Sequence, residues 1–262
     1  TLYAALRGFR VGEDGQTGVA VASGRGWYVL AVVCCAAGMA TKPVMATAPI
    51  MVLVFDRLLG AGGWAGALRR RWGFYLALAA TWLVLVQTVL AQGHTESAGF
   101  GFRGFTAWEY ACTQPRAILW YLRLAFWPHP LCFDYVRPVL RDWTQFALPA
   151  AVVLLLVGVT LFLLARSRPS ALFGVWFFLI LSVTSSFMPI ADVCVEHRVY
   201  LSLAAVVAAV VLGGYESGCF LLRRMGGGAR VGAALGWGGV AVLALLGGWR
   251  TIERNRDYRS QT

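Results

Sequence analysis

From residue 146 to residue 165 the chain reads FALPAAVVLLLVGVTLFLLA, with no charged side chain. A helix needs about 20 mostly apolar residues to cross the hydrocarbon core of a bilayer, and this run supplies them. Such a stretch cannot be folded into the polar surface of a soluble domain, so it fixes the class of solution open to the rest of the chain. Composition agrees: of 262 residues 59% are hydrophobic and 13% charged, where a soluble domain carries about 25% charged residues. The chain reads as all-α, a polytopic membrane helix bundle.

Further runs of the same kind cover 72–91, 171–188, 199–215 and 231–249. The apolar stretch 27–59 is broken by Thr41-Lys42-Pro43 and reads as two helices, 27–40 and 44–59, meeting in a tight hairpin. The segment 108–127, WEYACTQPRAILWYLRLAFW, is different. Pro115 is expected to end or kink a helix there. Beyond it Arg116 and Arg123, seven residues apart, share a face, which predicts an amphipathic helix lying at the interface within an external loop. This divides the chain into a membrane domain, 1–249, and the start of a polar linker, 250–262. The opening TLYAALRGFR reads as the last turns of a helix begun earlier, and the polar end stops abruptly. The chain is therefore expected to be a fragment of a longer protein.

The net charge is +11, and Lys42 is the only lysine. In a membrane protein an arginine excess reports topology and contact with anionic headgroups. No basic, aromatic-interleaved soluble module is visible, which excludes nucleic acid as a partner. Arginines at 7, 10 and 25, at 69–71, at 166 and 168, and at 223, 224 and 230 mark four cytoplasmic loops if 108–127 does not span. The opposite, extracytoplasmic face then holds Lys42, the region 92–145, the loop 189–198 and the C-terminus. Cys34 and Cys35 read as small packing residues, and a Cys132–Cys194 bridge is sterically open. No CxxC pair occurs and the histidines lie far apart, so no metal site is expected.

The external face collects the unusual polar residues. Lys42 sits at a hairpin apex locked by Pro43, where it either snorkels to lipid phosphate or offers a compact ammonium to a phosphate or carboxylate. Asp134, between aromatic rings, suits an ion pair or proton transfer. Asp56-Arg57 reads as a local ion pair that stops a helix. In ADVCVEHRVYL, a helix from about Ala191 would align Asp192, Glu196 and Tyr200 on one face. Arg198 there offers a planar fork for a phosphate diester, and Glu196 could hold that arginine or a neighbour. The same residues equally describe a salt-bridged cap on a membrane helix.

GMATKPVMATAPIMVLVFDRLL, WYLRLAFWPHPLCFDY, FGVWFFLILSVTSSFMPIADVCVEHRVYLSLA and RTIERNRDY occur in that order. Together they resemble blocks of the membrane part of the TPR-linked, TMTC-type protein O-mannosyltransferases and their bacterial tetratricopeptide relatives. The resemblance runs from about residue 27 to 258. It implies a GT-C-like fold and a full-length glycosyltransferase that moves a sugar, mannose, from a polyprenyl-phosphate donor to a protein Ser or Thr. It also implies a missing C-terminal TPR domain and a bacterial inner membrane, or the endoplasmic reticulum in a eukaryote. The polyprenyl-phosphate-linked sugar is a substrate, and the bilayer and an acceptor protein are the partners.

Lys42, Glu196, Arg198 and Tyr200 fall on family motif positions, and Glu196-His197-Arg198-x-Tyr200-Leu201 matches the bacterial pattern. His197 and Arg123 complete the expected donor-phosphate set. The family's catalytic base lies in a first external loop that would precede Thr1; Asp134 and Glu196 are the acidic residues of this chain that could replace it. Two other readings of the chain are a membrane transporter or flippase and a non-catalytic membrane anchor for a TPR domain.

Overall fold

A computed structural model of the chain describes residues 1–13, 24–60, 63–92, 104–130, 132, 135, 139–185, 188–224 and 229–257. Among the described residues the protein is helical: α1 (Leu2–Glu13), α2 (Gly24–Met39), α3 (Ala48–Leu59), α4 (Trp64–Arg70), α5 (Trp72–Gln92), α6 (Ala107–Phe126), α7 (Trp143–Ala165), α8 (Ala171–Ser182), α9 (Tyr200–Arg224) and α10 (Ala229–Asp257). Short 3-10 turns at Pro43–Thr47 and Glu196–Arg198 precede α3 and α9.

Three helices are long and apolar enough to cross a membrane: Trp72–Ala91, Trp143–Ala165 and Tyr200–Leu222. The bent pair Pro43–Leu59 and Trp64–Arg70 makes a fourth if it counts as one broken span. Leu90 in α5 is 75% exposed and Leu154 and Leu155 in α7 are 69% and 66% exposed. Apolar surface of that extent needs an apolar surrounding, and lipid supplies it. Among the described residues the fold is all-helical, and its long apolar helices mark a membrane protein.

Several boundaries differ from those expected. α8 stops at Ser182, six residues short of the expected end, which leaves it too short to span. α9 runs through Gly213-Gly214 to Arg224 instead of ending at Tyr215. α6 continues across Pro115. Both arms of the 27–59 hairpin pack on α1 and α5, and α3 packs on α8 as well. The second arm also begins as a 3-10 turn, with α3 starting only at Ala48. Pro49, which has no N–H to give to the Met45 carbonyl, lies in the first turn of α3, where that hydrogen bond is not needed.

Two cores follow from helical spacing. Ala31, Cys35 and Met39 recur every fourth residue on α2 and are buried against Ala5 and Phe9 of α1, Val52 of α3 and Phe74, Tyr75 and Leu78 of α5. Ala117, Ile118 and Tyr121 of α6 meet Val153 of α7, Phe177 and Leu181 of α8, Cys194 and Val199 of the segment before α9, and Ala205 of α9. A smaller cluster of Met51 and Val54 on α3 with Val175 on α8 joins them.

Hydrogen bonds place the connections at two ends of this bundle. At one end Arg71 pairs with Asp56 at 2.6 Å, and Arg57 donates to Ser167 in the α7–α8 turn. Asp56 and Arg57 thus reach separate partners, and the expected local pair between them is replaced by these longer links. At the other end lie Lys42, the start of α9 and the C-terminal part of α6. Arg250 of α10 stacks over the Trp127 ring there, 5.5 Å from its centroid.

Candidate functional site

The segment 189–198 is not a helix from Ala191, as the spacing of Asp192, Glu196 and Tyr200 had allowed. Its backbone is held from outside. The Val195 N–H donates to the Tyr121 hydroxyl at 3.0 Å, and the Tyr135 N–H donates to the Cys194 carbonyl at 3.2 Å. With these groups engaged across elements, no i→i−4 ladder forms until Leu203 donates to Val199. Asp192 accordingly lies exposed in irregular backbone, off any helical face shared with Glu196.

The short Glu196–Arg198 turn then aims three side chains from one place. Arg198 Nη1 donates to the Tyr110 hydroxyl at 3.2 Å, and that hydroxyl donates to the Thr184 carbonyl at 2.6 Å. Arg198 is half-buried and pairs with no carboxylate among the described residues. Its anchor is therefore a neutral phenol, which orients the guanidinium without cancelling its charge. Burial is the main influence on the Tyr110 phenol and pushes it above its usual pKa; the nearby Arg198 charge acts the other way. Tyr110 is thus protonated in the physiological range.

Glu196 does not clamp the arginine. Its Oε1 accepts from the Tyr135 hydroxyl at 2.8 Å. Burial, then the hydrogen bond to Glu196, raises the Tyr135 pKa, so this phenol also stays a donor. The Tyr135 ring meets the edge of Trp120 at 5.6 Å, and Arg123 stacks over Trp120 at 4.7 Å from the ring centroid. Arg123 is exposed, and its partner is that Trp120 ring.

Lys42 is exposed, extended at φ −144°, and begins the 3-10 turn before α3. Its Nζ lies 5.6 Å from the Tyr200 ring centroid, a cation–π approach that brings the α2–α3 connection to the first residue of α9. Lys42, Arg198, Tyr200 and Glu196 therefore gather around one helix start. His197 sits exposed in the same turn. Asp134 lies outside the described residues. No disulfide joins Cys132 and Cys194; the two flank Tyr135, through its hydroxyl and its N–H respectively.

The sequence reading missed the supporting face of α6. Tyr110, Gln114 and Tyr121 are each at most 2% exposed and fall at i, i+4 and i+11, one helical stripe. Its polarity was the available signal, since a lipid-facing or purely packing stripe would not carry a glutamine between two tyrosines. Among the described residues no group of three or more His, Cys, Asp or Glu side chains converges. The gathered groups include the Glu196 carboxylate, which Tyr135 engages, together with cations and phenols, chemistry that holds an oxyanion. No family model matches the chain, no curated protein matches it, and no solved structure matches it.

Proposed function

We propose that this chain is the donor-binding membrane portion of a GT-C-like glycosyltransferase acting on the extracytoplasmic face of a bacterial inner membrane, or of the endoplasmic reticulum in a eukaryote. The full protein moves a sugar, mannose by the motif resemblance, from a polyprenyl phosphate to a protein Ser or Thr. One observation supports this reading above the rest: the Arg198 guanidinium is half-buried, is held by the Tyr110 hydroxyl and pairs with no carboxylate among the described residues, two positions before the Tyr200 ring that Lys42 approaches. A half-buried cation without a carboxylate partner is poised for an anion from outside the protein.

In the proposed reaction the acceptor oxygen attacks the anomeric carbon, the bond from that carbon to the phosphate oxygen breaks, and the lipid phosphate leaves with the electron pair. Arg198 and Lys42 stabilise that charge, and the free N–H groups at the start of α9 face the same end. Tyr110 and Tyr135 position Arg198 and Glu196. The proposal assigns these residues to the donor side and leaves proton abstraction to another carboxylate.

The test is binding of a radiolabelled polyprenyl-phosphate mannose to the full-length protein in nanodiscs. Arg198→Ala is expected to weaken binding at least tenfold, about 1.4 kcal/mol, with Arg198→Lys intermediate. Unchanged affinity in Arg198→Ala overturns the proposal.

A further inference from the structure

At the end of the bundle opposite Lys42 a cavity of about 570 Å³ opens between α2 and the α4–α5 junction, lined by Arg25, Tyr28, Arg70, Arg71, Trp72 and Phe74 among others. The three arginines are not equivalent. Arg71 is 9% exposed in its side chain and its charge is matched by Asp56 at 2.6 Å, so it belongs to the floor. Arg25 and Arg70 are exposed and pair with no carboxylate among the described residues. The walls are aromatic: the Tyr28 and Phe74 rings lie 4.6 Å apart, and Trp72 is 69% exposed at the first residue of the α5 span. Exposed tryptophan at the end of an apolar span marks the height of lipid headgroups.

We infer that this cleft binds the phosphate of an anionic headgroup, with Arg25 and Arg70 supplying the charge and the Tyr28–Phe74–Trp72 wall the apolar contact. Guanidinium forks match phosphate oxygens in pairs, which a lysine ammonium does not. Basic clefts between membrane helices on one side of the bilayer bind headgroups of this type. Arg71 contributes by holding Asp56 and so keeping the α4–α5 junction in place beneath the site. The inference is independent of the sugar-transfer reading: it concerns the other end of the molecule, and no donor lipid enters its test.

The experiment measures the thermal unfolding midpoint of the full chain in nanodiscs of phosphatidylcholine alone and with phosphatidylglycerol added. The wild type is expected to melt higher with phosphatidylglycerol, and the Arg25→Gln/Arg70→Gln double variant to lose that increment while melting as the wild type does in phosphatidylcholine. Arg166→Gln, which removes an exposed cation outside the cleft, is expected to keep it. A parallel titration with inorganic phosphate in detergent distinguishes the sources. A phosphate-induced increment that equals the lipid's and vanishes in the double variant assigns the cleft to a free anion of the same chemistry. An increment that survives in the double variant, or that Arg166→Gln abolishes as fully, overturns the inference.

Discussion

Asp56 is 3% exposed and accepts from Arg71 Nη1 at 2.6 Å and from the Tyr75 hydroxyl at 2.6 Å. Removing one partner of a buried pair strands the other, at a cost of about 3–5 kcal/mol. Asp56→Ala is therefore expected to lower the unfolding midpoint severely, and Tyr75→Phe to cost about 1–3 kcal/mol, both read by thermal unfolding in detergent. At the opposite end Tyr110→Phe removes one hydroxyl that serves both Arg198 and the Thr184 carbonyl. It is expected to cost about 1–3 kcal/mol of stability and to weaken donor binding less than Arg198→Ala does. Full stability in Tyr110→Phe would show that this hydroxyl does not hold the 184–198 segment to α6.

At the scale of elements, the start of α6 is set by a capping box. The Thr106 hydroxyl accepts from the Glu109 N–H at 3.2 Å, and Glu109 Oε2 accepts from the Thr106 N–H at 2.8 Å. Thr106→Ala is expected to cost about 0.5–2 kcal/mol, measured by thermal unfolding. The backbone hydrogen bond from Thr106, with the Arg141 charge adding to it, holds the Glu109 carboxyl below its ordinary 4.5. A depressed carboxylate stabilises the fold above its unfolded pKa, and this contribution is lost as pH falls through the folded value. The wild type should thus lose more stability than Glu109→Gln between pH 6 and acid pH; parallel loss in both would remove Glu109 from the pH response.

The α7–α8 contact is equally specific. A Cβ at Gly174 would meet Thr160 Oγ1 and lie 2.7 Å from its Cγ2. Overpacking of this kind costs about 1–3 kcal/mol, so Gly174→Ala is expected to destabilise the protein, while Gly158→Ala, with nothing within 4 Å, is not.

For the whole molecule, the two ends of the bundle give an orientation that can be measured. Single cysteines at Asp192 and at Arg168, in a chain with its native cysteines replaced, are expected to label from opposite sides of the membrane. Labelling of both from one side would contradict the proposed topology. α5 was legible in the sequence almost to the residue, and α7 to within three at its start, because long apolar runs leave lipid as the only solvent for them. The end of α8 was not legible. Just beyond it the Thr184 carbonyl accepts from the Tyr110 hydroxyl, a partner 74 residues away in the chain. The start of α9 was legible to within one residue, but the irregular backbone before it, bonded by Tyr121 and Tyr135, was not.

By itself the sequence determined that this is a helical membrane protein, where its strongest spans lie, and that Lys42 and the Glu196–Tyr200 stretch carry unusual charge. Those properties are local, since burial in lipid and helical period depend on residues near in the chain. Only the tertiary structure decided which distant groups meet: Lys42 with Tyr200, Arg198 with Tyr110, Glu196 with Tyr135 and Asp56 with Arg71. Each contact joins elements whose separation along the chain carries no signal of their proximity. A backbone carbonyl or a guanidinium takes whichever partner helix packing brings within about 3 Å.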